Sequence, residues 1–347
     1  MPATRKALRS AFALVEAQLI KPERLAALKN VASRYAVAIT PALVDLIDVA
    51  DPHDPIALQF LPDERELDSH PQENGDPIGD QVHSPVPGVV HRYPDRVLLK
   101  IVNTCAVYCR FCFRREMVGP GRGALTGKAL NTALDYVART PEIWEVILTG
   151  GDPLLLPPRR LKNIMARLAA IDHVKVLRLH TRIPVVAPER VTPALLRALR
   201  TAKATFMVLH ANHPRELTDA ARGACARVID AGIPMLSQSV LLRDVNDDPE
   251  TLGALMRALV ECRIKPYYLH HPDLVPGTAH LRPSIAAGQD LLRALHGRYS
   301  GLCQPQYVLD IPGGHGKSPI GPTYLSADGM EIADFKGARH VYPPRDQ

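Results

Sequence analysis

Residues 97–112 read Val-Leu-Leu-Lys-Ile-Val-Asn-Thr-Cys-Ala-Val-Tyr-Cys-Arg-Phe-Cys, a β-rich run that ends in three cysteines. The apolar stretch 98–102 predicts a strand, and Cys105, Cys109 and Cys112 follow it with C-x3-C-x2-C spacing. Three thiolates so close in sequence can face one point. A structural zinc site takes four ligands, and no Cys or His lies between Cys112 and the end of the next expected helix to supply the fourth nearby. A disulfide reading leaves one thiol over. The triplet suits an iron–sulfur cluster in which one iron lacks a protein ligand, and an open coordination position is what a catalytic metal centre needs. The other cysteines, Cys225, Cys262 and Cys303, are far apart and read as buried apolar fillers.

Beyond the cysteines, further β-rich runs at 145–148, 176–180, 205–210, 234–241 and 266–270 make six strands with the first. Helical stretches at 124–139, 159–171, 193–200, 216–231 and 249–262 separate them. Alternation of this kind specifies a parallel sheet with right-handed crossovers, either doubly wound or a complete or partial barrel. Polar groups sit at the strand ends: Cys105, Gly150-Gly151-Asp152, His180, His210, Gln238, and His270 with Asp273. A barrel gathers all of them at one mouth, so a partial (β/α)6 TIM-type barrel is the expected fold.

Upstream, 5–20 carries apolar groups at helical spacing, and Thr40-Pro41 offers a cap and a first-turn proline for a helix over 42–49. From 51 to 95 the prolines Pro52, Pro55, Pro62, Pro71, Pro77, Pro85 and Pro87 argue for an ordered wrap without regular structure. After 284 come a helix (285–299), a strand (306–310), a Gly-rich loop and a hairpin over 323–335 turning at Asp328-Gly329. The expected organisation is a helical arm and wrap (1–95), a barrel (96–284) and a C-terminal segment (285–347).

The chain has 347 residues, 46% of them hydrophobic, enough for one large core or two ordinary ones, which excludes a disordered or stapled class. No apolar run approaches the roughly 20 residues that cross a bilayer, and the start lacks a signal-peptide stretch, so the reading is a cytoplasmic protein. Lys and Arg number 42 against 36 acids, a net charge of +6. The basic residues are spread among acids rather than gathered in a stripe, which argues against a nucleic-acid partner.

The three cysteines, with Thr149-Gly150-Gly151-Asp152-Pro153 at the end of the second strand, resemble the signature of the radical S-adenosylmethionine (SAM) superfamily. The resemblance implies a 4Fe-4S cluster on Cys105, Cys109 and Cys112, and SAM held near Gly150, Gly151, Asp152, His210 and Gln238. More narrowly, 83–96, 238–247 and 310–317 resemble the lysine 2,3-aminomutase family, including its short members that isomerise lysine for modification of elongation factor P. That likeness spans about 76–337.

From the residues alone, Gly313-Gly314-His315-Gly316-Lys317 is a flexible loop presenting one lysine, suited to cradle a phosphate or to form a Schiff base. It is not a Walker motif, because Pro312 and Pro319 flank it. The family resemblance makes Lys317 the pyridoxal phosphate (PLP) lysine and puts Arg92, Tyr93 and Arg96 at that cofactor. It also assigns Arg114 to the substrate carboxylate, and Asp273 and Asp310 to the distal ammonium of lysine. Relatives acting on glutamate replace those acids with polar or basic groups.

The implied activity is that of an isomerase, a radical SAM, PLP-dependent aminomutase that moves the α-amino group of L-lysine to the β-carbon. An external electron donor such as flavodoxin or ferredoxin is implied with it, as is a link to elongation factor P. Two alternatives stay open: the same chemistry on another amino acid, and a non-catalytic binding protein that keeps the fold. Longer relatives carry a C-terminal zinc extension, whereas this sequence has no cysteine after Cys303 and has Asp248 at the remaining ligand position. No structural zinc is expected, and a homodimer is left open.

Overall fold

The alternating apolar runs pair into one nine-stranded sheet in the computed structural model, which describes residues 5–343. The ends of the expected arm and C-terminal segment, 1–4 and 344–347, lie outside the described residues. The strands are β1 (Val89–Tyr93), β2 (Arg96–Val102), β3 (Glu145–Gly150), β4 (Val176–Thr181), β5 (Ala204–His210), β6 (Met235–Val240), β7 (Ile264–His270), β8 (Gln306–Ile311) and β9 (Gly316–Pro319). They lie side by side in chain order. β2 to β8 are parallel, while β1 and β9 run antiparallel at the two edges.

Four short helices make the arm: α1 (Ala11–Glu16), α2 (Leu25–Arg34), α3 (Pro41–Val44) and α4 (Pro55–Phe60). The helix expected over 5–20 is confined to α1, because Ser10 caps its start and the chain leaves helical geometry at Gln18, whose φ is 58°. The crossovers are α5 (Gly127–Arg139), α6 (Pro158–Ala169), α7 (Ile183–Val186), α8 (Pro193–Leu199), α9 (Asp219–Asp230), α10 (Pro249–Glu261) and α11 (Ile285–Leu295). Side-chain caps fix several of their starts: Thr126 on α5, Thr218 on α9 and Asp248 on α10.

The expected partial barrel is present and larger than six strands. β8 adds a seventh parallel strand beside β7, and β1 forms from the Pro-rich wrap because Pro87 and Pro94 flank it rather than interrupt it. Lys317 also departs from its expected place in a flexible loop: it lies on β9, directly opposite Asp310.

The two edges of the sheet come together through side chains. The backbone N–H of Lys317 on β9 donates to the Tyr93 hydroxyl on β1 at 2.6 Å, and Arg92 Nη1 stands 3.9 Å from Asp310 on β8. His83 Nε2 is 2.9 Å from the Gly314 carbonyl, and a Cβ on Gly79 would come within 2.7 Å of Gly314, so the wrap and the β8–β9 turn touch. The sheet therefore curls almost into a closed barrel, completed by side-chain bonds rather than a backbone ladder.

Parity along the strands divides core from lumen. Val97, Leu99 and Ile101 on β2 are buried, and Leu177 and Leu179 do the same on β4. The alternate positions carry Lys100, Arg178, His180, His210, Gln238, His270 and Asp310, the polar lining of the barrel. At the C-terminus the Asp328-Gly329 turn is present, with Ser326 N–H donating to the Glu331 carbonyl. The hairpin then continues as β10 (Glu331–Ala333) paired with β11 (Arg339–Val341).

Candidate active site

The cysteine loop makes few bonds of its own, so neighbouring segments hold it. Tyr108 N–H donates to the Ala38 carbonyl at 3.2 Å and Arg110 N–H to the Gln59 carbonyl at 2.8 Å, both in the arm. Below them Glu66 accepts from Arg110 Nε at 2.9 Å and from Arg115, all three side chains being buried. Removing one member of such a cluster leaves an uncompensated charge, a cost of about 3–5 kcal/mol. Cys105, Cys109 and Cys112 line one cavity together with Tyr35, Ala36 and Arg115. Burial raises all three thiols, Cys109 to about 11. Among the described residues Arg182, at the end of β4, donates to Cys109 Sγ at 3.6 Å while paired with buried Glu216.

Gly150 and Gly151 bring the end of β3 against this loop. Gly151 N–H donates to the Val102 carbonyl at 2.6 Å, and a Cβ on Gly151 would overlap the Thr104 carbonyl. Gly150 adds a φ of 109°, open to glycine alone in practice. The Asp152 carboxylate is turned to β4, where it accepts from Thr181 Oγ1 at 2.8 Å, Arg182 N–H at 2.8 Å and Leu154 N–H at 3.0 Å. Its side chain therefore joins two strand ends, while the glycine backbone faces the loop.

Inside the lumen, Gln238 Nε2 lies 3.0 Å from His270 Nε2, and the rings of His180 and His210 are 5.7 Å apart. Burial lowers these histidines, His210 to about 3, so they are neutral at physiological pH. Lys317 Nζ donates to Asp310 Oδ2 at 2.5 Å, with His270 Nδ1 3.6 Å from the same oxygen. Against the burial that would raise it, the hydrogen bond from His270 and the Lys317 ammonium hold Asp310 well below the usual carboxylate range. Asp273 is the opposite case: burial first, then the neighbouring Asp310, push it to about 7, and its Oδ1 has no hydrogen-bond partner.

The remaining expected site residues divide. Arg92 reaches the Ile78 carbonyl at 2.5 Å and Asp80 at 3.4 Å, and Arg114 Nε donates to Asp80 at 3.0 Å, so both arginines belong to the lumen cluster. Tyr93 lies on the seam against Lys317. Arg96 stands apart, stacked over the Tyr93 ring at 4.1 Å and paired with exposed Asp95. Sequence reasoning passed over Asp80, Lys100, Arg178 and Arg182. Lys100 and Arg178 were findable as charges inside strands whose alternate residues are buried and apolar.

A family model described as the Radical SAM superfamily matches residues 99–255. The chain is 39% identical over 330 residues to L-lysine 2,3-aminomutase of Acetoanaerobium sticklandii, covering 94% of this chain and 80% of that protein. It is 42% identical to a putative L-lysine 2,3-aminomutase of Aquifex aeolicus, over 88% of this chain and 82% of the other. Glutamate 2,3-aminomutase of Clostridioides difficile is 36% identical, over 88% and 72%. This kinship implies a 4Fe-4S cluster, SAM and PLP as cofactors. The chain belongs to the lysine 2,3-aminomutase family of radical SAM enzymes and is an isomerase of the aminomutase type.

Proposed function

We propose that the enzyme converts L-lysine to β-lysine by moving the amino group from the α- to the β-carbon. The observation that carries this choice of substrate is the acid pair in the lumen. Asp310 holds a primary amine, that of Lys317, at 2.5 Å, and beside it Asp273 is buried with an unpartnered oxygen. An ω-carboxylate brought there would meet like charge, whereas the distal ammonium of a diamino acid offsets the cost of burying both acids. The glutamate enzyme among the relatives makes that distinction the central one.

The chain's residues fit the implied cofactors. Three half-buried thiols lining one cavity are a donor set for a cluster with one open iron. Gly150 and Gly151 pack directly on the backbone of Val102 and Thr104 and so bring the end of β3, proposed to meet SAM, against the cysteine loop, with the unpartnered His180 Nε2 and Gln238 Oε1 facing the lumen. Arg92, whose Nε is buried without a partner, and Lys317 are the groups for PLP, with Tyr93 bonded to the Lys317 backbone and Arg96 joined to them only by its stacking on Tyr93. The cluster with SAM supplies a hydrogen-abstracting carbon radical, and PLP supplies conjugation that spreads the unpaired electron.

The residues of the chain bind and orient. Arg114 takes the substrate carboxylate and Asp273 with Asp310 take the distal ammonium, which fixes both ends of the substrate and directs its β-carbon. The neutral histidines and the almost closed wall of the barrel keep water from the radical. Asp310 is shared: it receives Lys317 Nζ when that amine is free. An external one-electron donor of the flavodoxin or ferredoxin class completes the reaction, and the product suits the elongation factor P modification served by short members of the family.

The test is anaerobic. Reconstituted enzyme with PLP, SAM and reductant is given L-lysine or L-glutamate, and products are separated by chiral chromatography. β-Lysine is expected from the first and nothing from the second; β-glutamate from the second overturns the reading of the acid pair.

A further inference from the structure

Asp80 lies in the Pro-rich wrap, far in sequence from the cysteine loop and the β8–β9 turn, yet its side chain is fully buried. Three cations from three different segments converge on it. Arg114, after the cysteine loop, donates to Oδ2 at 3.0 Å; Arg92 on β1 donates to Oδ1 at 3.4 Å; Lys100 Nζ on β2 stands 3.8 Å from Oδ2. These neighbours hold Asp80 below the usual carboxylate range despite its burial. The carboxylate is itself held in place. Asp80 N–H donates to Asp76 Oδ1 at 2.8 Å, Gln81 N–H to Asp76 Oδ2 at 2.8 Å, and Ser84 Oγ to the Asp80 carbonyl at 2.7 Å. His83 then ties this turn to Gly314, three residues before Lys317.

We infer that Asp80 is a positioning residue for both anionic ends of the reacting complex. This rests on the function proposed above, in which Arg92 serves the PLP phosphate and Arg114 the substrate carboxylate. One carboxylate engages Arg114 through Nε and Arg92 through Nη2, which leaves the terminal nitrogens of Arg114 and the Nε edge of Arg92 for ligands. Without it, three like charges face one another in a buried space and turn apart. Asp80 therefore sets the separation and direction of the two guanidiniums, and with them the distance between the cofactor phosphate and the substrate carboxylate.

Asp80→Asn keeps the size of the side chain and removes the charge. Two affinities are measured on cluster-containing protein: that for PLP, by absorbance titration without SAM or reductant, and KM for L-lysine, with kcat, in the complete assay. Positioning predicts at least a ten-fold loss in PLP affinity and a ten-fold rise in KM, with kcat within about three-fold of wild type. It also predicts that Asp80→Asn has no further effect on KM in an Arg114→Gln background, since the residue acts through that arginine. Unchanged or tighter PLP binding, which a merely more positive lumen would give, overturns the inference, as does an additive effect with Arg114→Gln. If Asp80→Asn does not fold, Asp80→Asn/Lys100→Met, which removes one cation with the carboxylate, is measured in the same way, and the same losses support the inference or their absence overturns it. Failure of wild-type protein to convert lysine sinks the substrate reading alone, because the PLP titration still decides the role of Asp80.

Discussion

Asp273 departs far from the ordinary behaviour of a carboxylate. Burial and the adjacent Asp310 move it from 3.8 to about 7, so between about pH 4 and pH 7 the folded protein holds a proton that the unfolded chain has released. Stability from this group is therefore present at low pH and lost as pH rises through that window. Asp273→Asn removes the penalty: at pH 8, without substrate, the variant should melt above wild type, and a Tm equal or lower would contradict the assignment. In the assay it should lose about 30-fold or more in kcat/KM for lysine, the scale of truncating a buried charge partner. Asp310 and Lys317 were legible because they bound the specific block 310–317, and Asp273 as an acid just past a strand end, their roles following from the family resemblance. Asp80 was not, since an aspartate among prolines reads as a turn former; only its three-dimensional meeting with Arg92, Lys100 and Arg114 sets it apart.

The parallel strands were readable almost to the residue because each is a short buried run between helical stretches. Two other elements were hidden for local reasons. β1 borders Pro87 and Pro94, so composition spoke against it, and β9 is four residues long with glycine at its start. The Gly150-Gly151 step was visible as a motif, but the reason for it is spatial: the chain at Val102 and Thr104 passes too close for a side chain. Gly151→Ala should therefore displace backbone rather than a movable side chain, costing roughly 2 kcal/mol or more, and reconstituted iron content should fall with stability. Gly127→Ala at the start of α5, where a Cβ meets nothing within 4 Å, is the control and should be neutral in both. Equal behaviour of the two variants would remove the packing argument for the motif.

At the scale of the molecule, one sheet runs from 89 to 319 and draws on strands from both sides of the expected 96–284 segment. No helix among the described residues is long and apolar enough to cross a membrane. The barrel was expected from strand ends that needed a common mouth, and that argument holds because the alternate, inward positions of the strands carry the polar groups. What the one-dimensional pattern could not express is the way the sheet ends, since edge contacts such as Tyr93 to Lys317 join residues 224 positions apart.

That seam has a mechanical consequence. Its two lips carry Arg92 and Lys317, the groups proposed for opposite ends of the same cofactor, so a bound PLP would act as a clasp across the one line of the cylinder that lacks a backbone ladder. Breathing of the wall should then depend on cofactor loading. Amide hydrogen–deuterium exchange across 89–93 and 316–319 should slow on addition of PLP, while β4 and β5 on the far wall keep their rates. Slowing spread evenly over all nine strands would mean that the seam is no softer than the rest. Local slowing would make the cofactor a fastener of the fold as well as a reagent, and the loaded protein would resist proteolysis at the wrap and the β8–β9 turn before any radical is made.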